Sequence, residues 1–77
     1  MQEKIRKRLI EIRKKHKITQ IKLAEIFKIS QPNISRYERG LIEPSLNVII
    51  MYMEYFHVTF DYIMCLTDKP HKALNAK

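Results

Sequence analysis

The sequence predicts an all-α domain of five short helices. Three observations carry this. The 77 residues include one glycine and three prolines. No stretch alternates apolar and polar residues as a half-buried strand does. Apolar residues instead recur at helical spacing, and a Ser or Thr stands directly before four of the five apolar runs, where its oxygen can accept from an otherwise orphaned backbone N–H.

The first helix is expected from Gln2 to His16. Ile5, Leu9, Ile12 and Ile18 follow the inward spacing, and Lys4, Arg6, Lys7, Arg8, Lys14 and Lys15 take the other, solvated face. Basic residues at its end suit the negative pole of the helix dipole. Thr19 caps a second helix, Gln20 to Phe27, with Leu23, Ala24 and Phe27 inward. Ser30 caps a third, Gln31 to Arg39. Pro32 falls in its first turn, where a missing N–H costs little, and Ile34, Tyr37 and Glu38 face inward. Gly40 ends it as the residue best able to adopt a left-handed conformation. Leu41 to Pro44 is a loop. Ser45 caps a fourth helix, Leu46 to Phe56, and Thr59 a fifth, Phe60 to Leu66. One domain is expected over residues 1–68, with residues 69–77 a short flexible tail.

Fifteen Lys and Arg against eight Asp and Glu give a formal net charge of +7. Such an excess points to a polyanionic partner, either nucleic acid or an anionic membrane surface, or simply keeps the protein soluble. The single cysteine, Cys65, rules out an internal disulfide framework and fits a reducing cytosol. The charged start has no apolar segment after it like that of a signal peptide, and the longest apolar run, Val48 to Met53, is far too short to span a membrane. The expected location is the cytoplasm. His16, His57 and His71 are scattered, no metal-ligand spacing appears, and no glycine-rich phosphate loop exists. Asp61 and Asp68 suit helix-end electrostatics and turn chemistry better than acid–base work. Neither enzyme activity, nor a cofactor, nor a small-molecule ligand is expected.

The second and third helices are joined by only Lys28 to Ser30. A turn this tight holds two short helices at a steep angle and pushes the second outward, the geometry that enters a DNA major groove. Ala24 supplies the small side chain that lets them approach. The segments ITQIKLAEIFKIS, QPNISRYERG, EPSL and VTFDYIMCLTD, within a stretch from Ile5 to Asp68, resemble the lambda-repressor-like, Xre-type helix-turn-helix domain. The resemblance implies a five-helix domain whose second and third helices read double-stranded DNA. Two positions depart from the family pattern: Lys28 in the turn and Lys17 after the first helix stand where Gly is usual.

Gln20 and Gln31 open the second and third helices. The resemblance implies a phosphate contact for Gln20 and a base contact for Gln31. Independently, a helix N-terminus offers free N–H groups to phosphate, and Gln can pair bidentately with adenine. Along the third helix, Gln31, Pro32, Ser35 and Arg36 are the expected base readers. Arg36 would grip guanine, and Pro32 would offer apolar surface to a thymine methyl. Thr19, Gln20, Asn33 and Arg39 are expected at phosphates. The resemblance also implies an ion pair between Arg13 and Glu38 that locks the third helix to the first.

The fourth helix carries more apolar residues than one face needs. Leu46, Ile49, Ile50, Met53 and Phe56 make a full inward stripe, and Val48, Met51, Tyr52 and Tyr55 are surplus. A helix apolar nearly all round is buried on more than one side. Self-association is therefore expected, with Leu41, Ile42, Met51 and Tyr55 as candidate contacts of a homodimer. The expected function is a transcriptional repressor binding a palindromic operator. The alternative is a protein-interaction module, such as an antitoxin that masks a partner and autoregulates.

Overall fold

A computed structural model describes residues 3–71. The elements are α1 (Glu3–Lys15), α2 (Gln20–Phe27), α3 (Gln31–Glu38), α4 (Leu46–Phe56) and α5 (Phe60–Ile63), with no strand among the described residues. The domain is all-α. Gln2 and residues 72–77 of the expected tail lie outside the described residues.

Each of the last four helices starts on a hydroxyl. Thr19, Ser30, Ser45 and Thr59 accept from the N–H of Lys22, Asn33, Val48 and Tyr62 at 3.1, 3.3, 3.3 and 3.1 Å. Each bond satisfies one N–H that has no partner within its helix.

All five helices end in the same way. The residues that turn the chain out of them are Lys17, Lys28, Gly40, His57 and Cys65, all left-handed, with φ between 56° and 76°. In each case the next residue's N–H reaches back to a carbonyl five positions earlier: Ile18 to Arg13, Ile29 to Ala24, Leu41 to Arg36, Val58 to Met53 and Leu66 to Asp61. This Schellman closure satisfies carbonyls that the last helical turn leaves open. Four of the five positions carry a side chain where glycine would be free of strain. The Asp61–Leu66 closure also explains why α5 stops at Ile63, three residues short of the expected Leu66.

The core is one cluster drawn from all five helices. Leu9 and Ile12 of α1, Leu23 of α2, Ile34 of α3, Tyr52 of α4 and Ile63 of α5 are almost completely buried. Phe27, Tyr52 and Phe56 pack with edge-to-face or tilted rings, with centroids 5.0 to 6.4 Å apart.

The face of α4 differs from the expectation. Val48, Ile49, Tyr52 and Phe56 enter the core, whereas Leu46 and Ile50 are 66% and 37% exposed and Met53 is half-buried. The helix is rotated by about one residue's worth of turn relative to the expected stripe. The aromatic ring of Tyr52 meets Phe27, and that packing fixes the rotation.

The basic face of α1 also needs correction. Lys4, Lys7, Lys14 and Lys15 are exposed, but Arg6 and Arg8 are turned to structural work. Arg8 Nη1 donates to the carbonyls of Tyr62 at 2.6 Å and Thr67 at 3.3 Å, and its guanidinium lies 3.9 Å from the centre of the Tyr62 ring. Asp68 stands 3.6 Å from it. Beyond Asp68, the Pro70 carbonyl accepts from Thr59 N–H at 3.0 Å.

Candidate nucleic-acid interface

The site is a chain of hydrogen bonds that starts in the core and ends at the tip of α3. Arg13 and Glu38, both over nine-tenths buried, form a bidentate pair: Nε to Oε2 at 2.7 Å and Nη2 to Oε1 at 2.9 Å. Arg13 Nη1 donates to the Ile18 carbonyl at 2.8 Å, so α1 is tied both to α3 and to the turn before α2. The Glu38 carboxylate raises the pKa of Arg13, outweighing the opposite effect of burial.

Glu38 Oε1 accepts a second hydrogen bond, from Gln20 Nε2 at 3.0 Å. Gln20 Oε1 in turn accepts from Gln31 Nε2 at 2.8 Å. The amide of Gln31, first residue of α3, is thus positioned through two intermediaries by a buried ion pair. Its own carbonyl oxygen remains for an outside donor.

The outer face of α3 is also internally paired. Asn33 Oδ1 accepts from Arg36 Nη1 at 2.8 Å, and Ser35 Oγ accepts from Arg39 Nε at 3.2 Å. Arg36, Arg39 and Pro32 are exposed, and Gln31, Asn33 and Ser35 are half-buried. These bonds hold both guanidiniums along the helix instead of leaving them free in solvent. Thr19 is exposed. Its oxygen is engaged with Lys22 N–H, which leaves its hydroxyl proton to donate outward.

Arg6 was not singled out by sequence reasoning, yet it supports the same helix. Its Nη1 donates to the Glu38 carbonyl at 3.2 Å, and its side chain lies over Gly40, where an added Cβ would stand 3.0 Å from Arg6 Cδ. The available signal was its place seven residues before Arg13, on the same face of α1. Leu41 and Ile42 are exposed in the loop that follows, Tyr55 is exposed, and Met51 is half-buried against the core. Among the described residues, no group of three or more His, Cys, Asp and Glu is arranged to hold a metal ion. None of the described helices is long and apolar enough to cross a membrane.

Two short helices joined by a left-handed turn, the second braced from behind and presenting polar side chains outward, define a helix-turn-helix domain. Residues 9–63 match the helix-turn-helix family, and the chain belongs to it, as a lambda-repressor-like, Xre-type domain. It is similar to an uncharacterized HTH-type transcriptional regulator, YobD, of Bacillus subtilis (strain 168), with 34% identity over 70 residues, 91% of this chain. The chain spans 62% of that relative's length. No solved structure matches it.

Proposed function

We propose that this chain is a sequence-specific transcriptional regulator that places α3 in the DNA major groove and represses from a palindromic operator as a homodimer. The observation that carries the reading is the chain Arg13–Glu38–Gln20–Gln31, which ends on a polar side chain at the N-terminus of α3. A base-reading amide gains discrimination when its orientation is fixed before binding, because less freedom is lost on contact. Gln31, Pro32, Ser35 and Arg36 face the bases in this reading. Thr19, Gln20, Asn33 and Arg39 face phosphates, with the net charge of +7 adding long-range attraction.

One α3 reads only a few base pairs, and two copies one DNA turn apart, about 34 Å, double the contact set. The exposed apolar residues Leu41 and Ile42, with Tyr55 and the half-buried Met51, are the surface assigned to the second copy. Four side chains fall short of the roughly 800 Å² per partner of a stable interface, so DNA completes the pairing.

Selection from a random double-stranded pool, followed by binding of the selected site, tests this. Arg36→Ala is expected to relax preference at one base pair by ~1–3 kcal/mol. Gln31→Ala is expected to relax it at another. Affinity should fall steeply with salt. A pool that yields no preferred sequence, or a saturated complex of one chain on a palindrome, would overturn the reading.

A further inference from the structure

A semi-enclosed pocket of about 120 Å³ opens where the ends of α1 and α4 meet the segment after α5. Its floor is hydrocarbon: Ile12 of α1, Phe56 of α4, Val58 and the ring of Tyr62. Its rim is basic: Lys15, His16 and His71, with no acidic side chain lining it among the described residues. The hydrogen bond from Thr59 N–H to the Pro70 carbonyl holds the Pro70–His71 segment across one side.

The rim is partly fixed in place. His16 packs on Phe56 with the rings tilted at 55° and their centroids 4.8 Å apart. Its Nδ1 donates to the Ile12 carbonyl at 2.9 Å, since a carbonyl can only accept, and Nε2 is left as the free ring nitrogen. Lys15 is exposed and forms no ion pair that would compete for its charge among the described residues. An apolar cavity of roughly 150 Å³ takes up benzene, so this one admits a phenyl ring or a branched alkyl chain and little more.

We propose that this pocket binds a small apolar carboxylate, with its hydrocarbon on Ile12, Phe56 and Val58 and its carboxylate paired with the Lys15 ammonium at the rim. Volume sets the size of the ligand, the floor sets its apolar body, and the Lys15 ammonium, with no acidic side chain lining the pocket among the described residues, sets its acidic head. The lining shares no residue with the Arg13–Glu38–Gln20–Gln31 chain, so under the proposed function a ligand here leaves the tip of α3 free. It bridges α1, α4 and the Pro70 segment, and a ligand held only by the folded state shifts folding by mass action.

The test is a methyl-resolved NMR titration of the full chain with benzoate at constant ionic strength, with benzyl alcohol as the uncharged probe. Benzoate is expected to shift the Ile12 and Val58 methyl signals saturably by about 20 mM, the range suited to a ligand of this size. Ring-to-methyl cross-peaks should accompany the shifts. Benzyl alcohol is expected to bind at least several-fold more weakly. Lys15→Gln should bring benzoate down to the level of benzyl alcohol and leave benzyl alcohol unchanged. This exposed substitution does not threaten the fold. Val58→Phe, which fills the cavity, should abolish both. Equal binding of the two probes, or shifts that never saturate, overturns the proposal. So do cross-peaks from Leu74 methyls to Ile12 and Val58 in the free protein, which would mean that the chain's own C-terminal residues occupy the pocket.

Discussion

Two arginines leave α1 five residues apart and hold opposite parts of the molecule. Their side chains are equally buried, 11% exposed for Arg8 and 10% for Arg13, but their acidic partners are not: Glu11 and Asp68, beside Arg8, are 59% exposed and fully in solvent, while the Glu38 side chain is 4% exposed. Arg13 therefore faces a full negative charge in a region where water cannot screen it. Arg8 faces two neutral carbonyls and the face of the Tyr62 ring, with the exposed carboxylates of Glu11 and Asp68 as screened additions. The first arrangement is rigid and specific because losing either member strands a buried charge. The second spreads one cation over several weak acceptors, and no single partner is indispensable. The helix-turn-helix half of the molecule is built on the first kind of contact and the α5 end on the second.

Glu38→Ala should have the largest effect. It is expected to cost about 3–5 kcal/mol in urea unfolding, because it leaves the Arg13 guanidinium buried without its counter-charge. Asp68→Asn should leave the urea midpoint unchanged, and equal effects at the two acids would erase the contrast. Arg8→Ala comes next, at about 2 kcal/mol, since it removes charge-assisted bonds to two carbonyls and the ring contact. Arg8→Lys should recover less than half of that, because an ammonium cannot fork between acceptors and cover a ring at once.

Tyr52 sharpens the comparison from the other side. It is completely buried, and its hydroxyl finds no hydrogen-bond partner among the described residues. Burial first, and the Glu38 carboxylate second, push its pKa above the usual 10.0. The unfolded chain thus releases this proton at lower pH than the folded one. The corresponding stability is complete below pH 10 and is lost as pH rises through the folded value. Tyr52→Phe should stabilise the domain by about 1 kcal/mol at neutral pH and flatten the alkaline fall of the melting temperature. A destabilised Phe variant would mean that the hydroxyl is satisfied after all.

Lys28→Gly should have the smallest measurable effect, a gain of about 0.5–1 kcal/mol by thermal melting, because it relieves a left-handed side chain at some entropic cost. A loss there would assign the Lys28 side chain a contact that outweighs its backbone strain.

The parts of the fold that could be read in the sequence are those set locally. The four hydroxyl caps lie next to the N–H groups they serve, and Gly40 marks its turn by itself. The left-handed Lys17 and Lys28 stand where the family pattern has Gly, whereas His57 and Cys65 give no local sign, since nothing in a side chain announces a positive φ. The face of α4 could not be read because apolar residues surround it. Periodicity cannot choose a stripe when Leu46, Ile50, Val48 and Tyr52 all qualify, and the choice fell to the packing of Tyr52 on Phe27. Arg8 is hidden among the six basic residues assigned to the solvated face of α1, and its carbonyl partners are more than fifty positions away. At the candidate interface, the places of Thr19, Gln20 and Gln31 at helix starts could be read from the sequence. Their bonding to one another was not, because it depends on rotamers: Gln20 reaches inward to Glu38, and Asn33 is turned to Arg36.

The hydrogen-bond chain behind α3 has a direction, and this bears on how such a protein can change over generations. Gln31 is its outermost link, so replacing it frees only the amide oxygen of Gln20, half-exposed at the surface, where solvent substitutes readily. Each step inward, from Gln20 to Glu38 to Arg13, removes a group that more of the molecule depends on. Tolerance to mutation therefore falls along a gradient over four residues. Under the proposed function, the residue that selects the DNA sequence is also the one the fold can most easily spare, and a lineage could explore new operators by drifting at position 31 without first acquiring surplus stability.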